Sequence, residues 1–152
     1  MLNRDYLGYQ YEPTSVLVEV GQLKLFNKAL GETRAVYLDE TAARAAGYRS
    51  ILAPPTFSYV LINLAPPSGP GFEELGLDFK YLLHGEDGFV YQGQIYAGDV
   101  ITMQTTITDI YDKKDGALEF MVQETAVSNQ LGEQVQTRRS VFVMRRPQEA
   151  RK

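Results

Sequence analysis

The sequence predicts an α+β fold in which a curved antiparallel sheet wraps a single long central helix. Three observations carry that prediction. The C-terminal half reads as three long strands joined by two tight turns. Ahead of them lies a proline-anchored helix start, Ala53-Pro54-Pro55-Thr56-Phe57. The chain of 152 residues is 44% hydrophobic and 22% charged, enough to bury one core without covalent staples. One domain over 1–152 is expected, with its core at about 10–145 and a flexible basic C-terminal tail.

Taken in order, Ser15-Val16-Leu17-Val18-Glu19-Val20 is a β-branched run ended by Gly21, a first strand. Leu23, Phe26, Ala29 and Leu30 recur at helical spacing, and Gly31 suits the left-handed residue that closes a helix. Asp39 to Gly47 opens with acids and ends in glycine, a second short helix. The third runs from Pro54-Pro55 to Leu64, because proline is preorganised for a first turn. It is apolar nearly all round, so it is expected to be buried. Ser68 to Gly76 is rich in Gly and Pro and reads as a surface loop.

Phe89-Val90-Tyr91 leads to the turn Tyr96-Ala97-Gly98-Asp99. From Val100 to Tyr111, Ile101, Met103, Thr105 and Ile107 alternate with Thr102, Gln104, Thr106 and Thr108. Asp112 to Gly116 is a hairpin turn. Leu118, Phe120, Val122 and Glu124 then alternate with Glu119, Met121, Gln123 and Thr125. Ser128 to Gly132 turns the chain again, and Val135 to Met144 closes the sheet.

Composition excludes several classes of function. A formal charge of −4 gives nucleic-acid binding no electrostatic support. The one basic cluster, Arg138-Arg139, Arg145-Arg146 and Arg151-Lys152, reads as a solvated strand end and tail. Its other reading is a docking patch for coenzyme A phosphates or an acidic carrier protein. No apolar run is long enough to span a membrane, and no secretory h-region is visible, so a cytoplasmic location is expected. With no cysteine and one histidine, no metal-ligand spacing is present, and no cofactor or glycine-rich phosphate loop is expected.

Five segments in this order carry a resemblance to a known family. They are Tyr37-Leu38-Asp39-Glu40 with Ala42, Ala43 and Gly47; Leu52-Ala53-Pro54-Pro55-Thr56-Phe57; Leu83-His84-Gly85-Glu86; Ala97-Gly98-Asp99-Val100; and Val127 through Glu133. The set resembles MaoC-like hot-dog proteins, and within them the N-terminal dehydratase-like domain related to type I fatty-acid synthase. That resemblance implies a hot-dog fold and handling of acyl thioesters. Active MaoC-like hydratases carry Gly-Asp-x-Asn-Pro-x-His, whose Asp and His manage the proton and the water. Dehydration needs a base at the α-carbon, an acid for the departing hydroxide, and N–H donors at the thioester oxygen.

The matching stretch here is Gly31-Glu32-Thr33-Arg34-Ala35-Val36-Tyr37. Glu32 falls at the Asp position and Tyr37 at the His position. Either they form an altered working pair, or the motif is vacant and Tyr37 packs in the loop. A phenol, with an ordinary pKa of about 10, is a poor base at neutral pH. Pro55 stands near where catalytic relatives use a glycine N–H, and proline has none to give. The N–H groups of Thr56 and Phe57 are the remaining donors at that helix start. His84 is either the general base or a ring that ties down a turn, with Glu86 and Asp87 beside it.

The resemblance implies a subunit of a (3R)-hydroxyacyl-CoA or acyl-carrier dehydratase, equivalently an enoyl-thioester hydratase. It would hold substrate beside a catalytic MaoC-like chain. Phe57, Tyr59 and Val60 would line an apolar tunnel. A non-catalytic acyl-thioester-binding or regulatory module is the alternative. An acyl-CoA thioesterase using Glu32 or Asp39 is a third. A sheet of this kind leaves an open edge, so a homodimer or a heterodimer with a catalytic chain is expected.

Overall fold

A computed structural model describes residues 1–146. Arg151 and Lys152 of the basic tail lie outside the described residues. Five strands form one antiparallel sheet in the order β1-β3-β4-β5-β2. They are β1 (Thr14–Leu17), β2 (Leu82–Tyr91), β3 (Val100–Lys113), β4 (Leu118–Ser128) and β5 (Gln134–Arg145), and β3-β4-β5 is the expected meander. Three α-helices precede β2: α1 (Val20–Leu30), α2 (Glu40–Ala45) and α3 (Phe57–Leu64). No helix among the described residues is long and apolar enough to cross a membrane.

The first strand is shorter than its sequence suggests. It ends at Leu17, and Val20-Gly21 form the first turn of α1. The Val18 N–H bonds the Asp99 carbonyl while its own carbonyl accepts from Gly98, which turns the chain inward and makes Glu19 the N-cap. At the far end Gly31 takes φ +67°, and its N–H closes the helix on Asn27 and Lys28. Asp39 caps α2 through the Ala42 N–H at 2.7 Å.

The central helix also departs from expectation. It has 8 residues, and Pro54-Pro55 precede it as a turn rather than forming its first positions, with Thr56 at the N-cap. Phe57, Ser58 and Leu61 are buried, whereas Tyr59 and Leu64 are 43% and 48% exposed. The helix is therefore one-sided. Ala65 is extended, as the residue before Pro66 must be, and the helix ends at Leu64, where the sequence places its end.

Two apolar clusters fill the concave side of the sheet. Phe57, Leu61 and Leu23 pack on Ile101, Met103, Val127 and Val135 at one end. Leu2, Leu75 and Leu77 pack on Ile107, Ile110, Met121 and Met144 at the other. Leu75 and Leu77 show that the Gly/Pro-rich segment is not wholly a surface loop, because its end plugs the core. The inward face of β4 carries Glu119, Met121, Gln123 and Thr125. Val122 faces outward with Val141 and Val143 in a separate small cluster. Register shifts at Ile107/Asp109 and His84/Glu86 bend the sheet around the helix.

Gly76 joins the two ends of the chain. Its φ is +73°, and a Cβ there would lie 2.2 Å from the Met1 carbonyl oxygen. Gly76→Ala is expected to lose about 2 kcal/mol or more in chemical denaturation, combining left-handed strain with a backbone clash.

Three of the C-terminal arginines, Arg138, Arg139 and Arg146, are ion-paired, while Arg145 is exposed. Arg138 is 6% exposed and holds Asp87 through two bonds of 2.7 and 2.9 Å. Arg139 pairs with Glu86, and Arg146 reaches the buried Glu119 at 2.6 Å. These pairings replace the solvated strand end that the sequence suggests.

Candidate functional site

A pocket of about 220 Å³ sits where three connections meet. Tyr37 and Tyr48 come from the loops flanking α2, Pro54 and Pro55 from the turn before α3, and Gln136 from β5. Two buried amides fix its walls. Asn27, fully enclosed on α1, donates from Nδ2 to the Tyr37 carbonyl at 2.7 Å. Gln136 donates from Nε2 to the Pro55 carbonyl at 3.0 Å, and its Oε1 has no partner among the described residues. Sequence reading missed both. Asn27 was signalled by its i, i+4 spacing from buried Leu23, a polar residue on an apolar face.

Tyr37 and Pro55 are thus brought together at the pocket, while Glu32 does not line it and reaches Tyr37 through Arg34. The Glu32 carboxylate accepts from the Thr33 and Arg34 N–H groups at 2.9 and 2.8 Å and from the Arg34 guanidinium at 2.5 Å. Arg34 also lies 4.6 Å from the centre of the Tyr37 ring. The side-chain and backbone bonds from Arg34 hold the Glu32 carboxyl down at about 2. So low a pKa makes it a feeble proton acceptor. NMR titration should find that value in the native chain, and Arg34→Ala should return it toward the usual carboxylate range. A depressed native pKa means that this loop interaction is intact at neutral pH and lost as pH falls through about 2.

His84 lies elsewhere, on β2. Its Nε2 is 3.5 Å from Asp87 Oδ2, and its ring sits 6.3 Å from those of Tyr59 and Phe142. Around the small pocket the donors are few. The Phe57 N–H is spent on the Pro54 carbonyl at 2.9 Å, while the Thr56 N–H makes no hydrogen bond among the described residues. The Phe57 side chain is fully buried against Phe26, and Val60 packs on the same cluster. Of the three expected tunnel residues, Tyr59 lines a cavity.

That second cavity, about 710 Å³, opens between α3 with the segment after it and the concave face of the sheet. Tyr59, Ile62, Pro66 and Phe72 line one side; Thr105, Gln123, Arg138 and Ser140 line the other. Arg138 lies 4.5 Å over the Tyr59 ring.

Just before β3, on the small-pocket side, fully buried Asp99 accepts from the Tyr96 N–H at 2.9 Å, Gln130 Nε2 at 3.1 Å and the Arg49 guanidinium. The Ala97-Gly98-Asp99-Val100 segment is therefore a locked turn. It holds the strand end beside Ala53, whose N–H bonds the Ile95 carbonyl. Among the described residues no group of three His, Asp or Glu side chains is placed to hold a metal ion.

The arrangement matches a known family. The FAS1-like, dehydratase domain region corresponds to residues 5–138. The chain belongs to this family. It is 37% identical over 145 residues to a UPF0336 protein of Thermobifida fusca, covering 95% of this chain and 94% of that one. Its fold is the hot-dog fold of MaoC-like proteins. The (3R)-hydroxyacyl-ACP dehydratase complex HadBC of Mycobacterium tuberculosis superposes with a TM-score of 0.74 at 22% identity, over 93% of this chain and 99% of the other. The ChsH1-ChsH2 complex of the same organism gives 0.75 at 20% identity, over 93% and 91%. This dehydratase-region chain therefore keeps the family's framework, and at the motif position it carries Glu32 and Tyr37 tied together through Arg34.

Proposed function

We propose that this chain is the substrate-holding subunit of a (3R)-hydroxyacyl-thioester dehydratase, working in the cytoplasm beside a catalytic hot-dog chain. The observation that carries this reading is the contrast between the two cavities. The small pocket at the motif position offers a phenol, two prolines and an amide, with Glu32 already neutralised by Arg34. The larger cavity has room for an acyl chain. General acid–base chemistry has no well-placed agent here, whereas binding has ample space.

The sheet edge supports a partnered state. β2 pairs with β5 on one side only, and Leu83 and Val90 on it are 51% and 62% exposed. A ten-residue free edge with apolar side chains is the kind of surface that a second sheet covers. HadBC and ChsH1-ChsH2 are themselves two-chain complexes, which favours the same architecture here.

The test mixes this chain with a MaoC-like chain that retains the Asp/His motif. Light scattering should show a stable complex, and calorimetry should show acyl-CoA binding to it. Tight acyl-CoA binding with no such complex would favour the alternative, an independent thioester-binding module. Steady hydrolysis of acyl-CoA, lost in Glu32→Gln or Asp39→Asn, would favour the thioesterase.

A further inference from the structure

We infer that the larger cavity accepts an acyl chain bearing a neutral oxygen function, keto or hydroxyl, part-way along its length, a specificity that rests on the thioester-holding role proposed above. The reason lies in how the concave face is laid out. Its two ends are apolar, but its middle is a continuous polar row. Thr105 on β3 faces Thr125 on β4, Thr125 faces Arg138 on β5, Gln123 faces Ser140, and Ser140 faces Asp87 on β2. Thr105, Gln123, Arg138 and Ser140 of this row line the cavity.

Much of the row is satisfied internally. Thr105 and Thr125 share a hydroxyl bond of 2.8 Å, and Ser140 Oγ donates to Asp87 at 2.7 Å. Arg138 spends Nε and Nη2 on the same carboxylate, so the pair is electrically neutral. What remains includes donor capacity. Arg138 Nη1 makes no hydrogen bond among the described residues. The Gln123 amide nitrogen has only long contacts, 3.5 Å to Tyr11 Oη and 3.9 Å to Met121 Sδ.

A saturated chain laid over these groups would strip them of water and return nothing. A ligand acceptor would satisfy them. The opposite wall of Ile62, Pro66 and Phe72 suits the methylenes on either side of that acceptor. Because Asp87 already balances Arg138, a neutral oxygen fits better than a carboxylate.

The experiment compares dodecanoyl-CoA with dodecanoyl-CoA analogues carrying a single keto or hydroxyl group moved stepwise along the chain, and with an ω-carboxy analogue. Binding is measured by calorimetry on the full chain and on its complex with a motif-bearing MaoC-like chain. At one position the oxygenated analogue should bind about tenfold or more tightly than the plain chain, and the ω-carboxy analogue should gain nothing. Gln123→Leu should erase the preference, and an unchanged thermal unfolding midpoint should report that the variant is folded. Thr105→Val keeps the side-chain shape and should weaken the preference less, since Thr105 already bonds Thr125. Equal binding of plain and oxygenated chains at every position, or a preference that survives Gln123→Leu, would overturn this inference and leave the thioester-holding role standing. Absence of binding to any of these acyl-CoAs, alone and in complex, would overturn that role and this inference with it.

Discussion

Purified alone, this chain should hydrate crotonyl-CoA slowly or not at all, and a motif-bearing partner should raise the rate by orders of magnitude. General acid–base assistance is typically worth about 10²–10⁴-fold, and one oxyanion donor about 10²–10³-fold. On the function proposed above, both would be weakened here. Glu32 is held by Arg34 at about 2, Pro55 has no N–H, and the Phe57 N–H is already bonded to Pro54. His84 is the one imidazole, and it lies on β2 beside Tyr59 and Phe142, away from the small pocket. Restoring the motif by Glu32→Asp and Tyr37→His should therefore do little by itself, because Arg34 would still capture the carboxylate. Adding Arg34→Asn, the residue that the active motif carries at this place, should give the larger gain. The decisive measurement is steady-state hydration of enoyl-CoA by the lone chain, the variants and the complex. Rapid turnover by the lone chain that collapses in Tyr37→Phe or His84→Ala would mean that a live site is present.

Arg146→Ala should cost about 3–5 kcal/mol of stability, the range for breaking a buried ion pair from one side. Glu119 is 2% exposed and accepts from the Leu2 N–H at 3.0 Å as well as from Arg146 at 2.6 Å. Arg146 also donates to the Gly76 carbonyl at 3.0 Å, so one guanidinium fastens the N-terminal segment, the Gly76 turn and the end of β5. Truncating it strands a carboxylate inside an apolar cluster that contains Met121, Met144 and Leu2. The double variant Arg146→Met with Glu119→Leu should recover much of the loss, because apolar replacement of a buried pair is often neutral. Thermal and urea unfolding of the two variants check this. A loss well below 1 kcal/mol in Arg146→Ala would place the pair among solvent-screened surface bridges.

Much of the fold was legible in the residues. Alternation from Val100 onward located the meander, and the turn at Asp112–Gly116 was readable because Asp115 and Gly116 tolerate the positive φ values found there. Gly31 and Asp39 marked helix ends by local chemistry alone. The candidate site was legible only where the family motif could be laid on the chain, at Glu32, Tyr37 and Pro55. Asn27 and Gln136, which hold the pocket's backbone in place, belong to no motif, and their partners lie 10 and 81 residues away.

What the sequence by itself determined were the elements, their approximate limits and the residue types available at Glu32, Tyr37 and Pro55, because periodicity, capping and residue identity are local properties. Only the tertiary structure decided which face of β4 turns inward. Leu118, Phe120 and Val122 look like the core set, yet Glu119, Met121, Gln123 and Thr125 take that side, because register with β3 and β5 is fixed over the whole sheet. It alone decided that a large cavity opens beside α3 and that Arg138 and Arg146 are partners of the buried or half-buried carboxylates Asp87 and Glu119. Charge in a sequence does not say what it faces; a buried guanidinium is possible only where the fold brings a carboxylate within bonding distance.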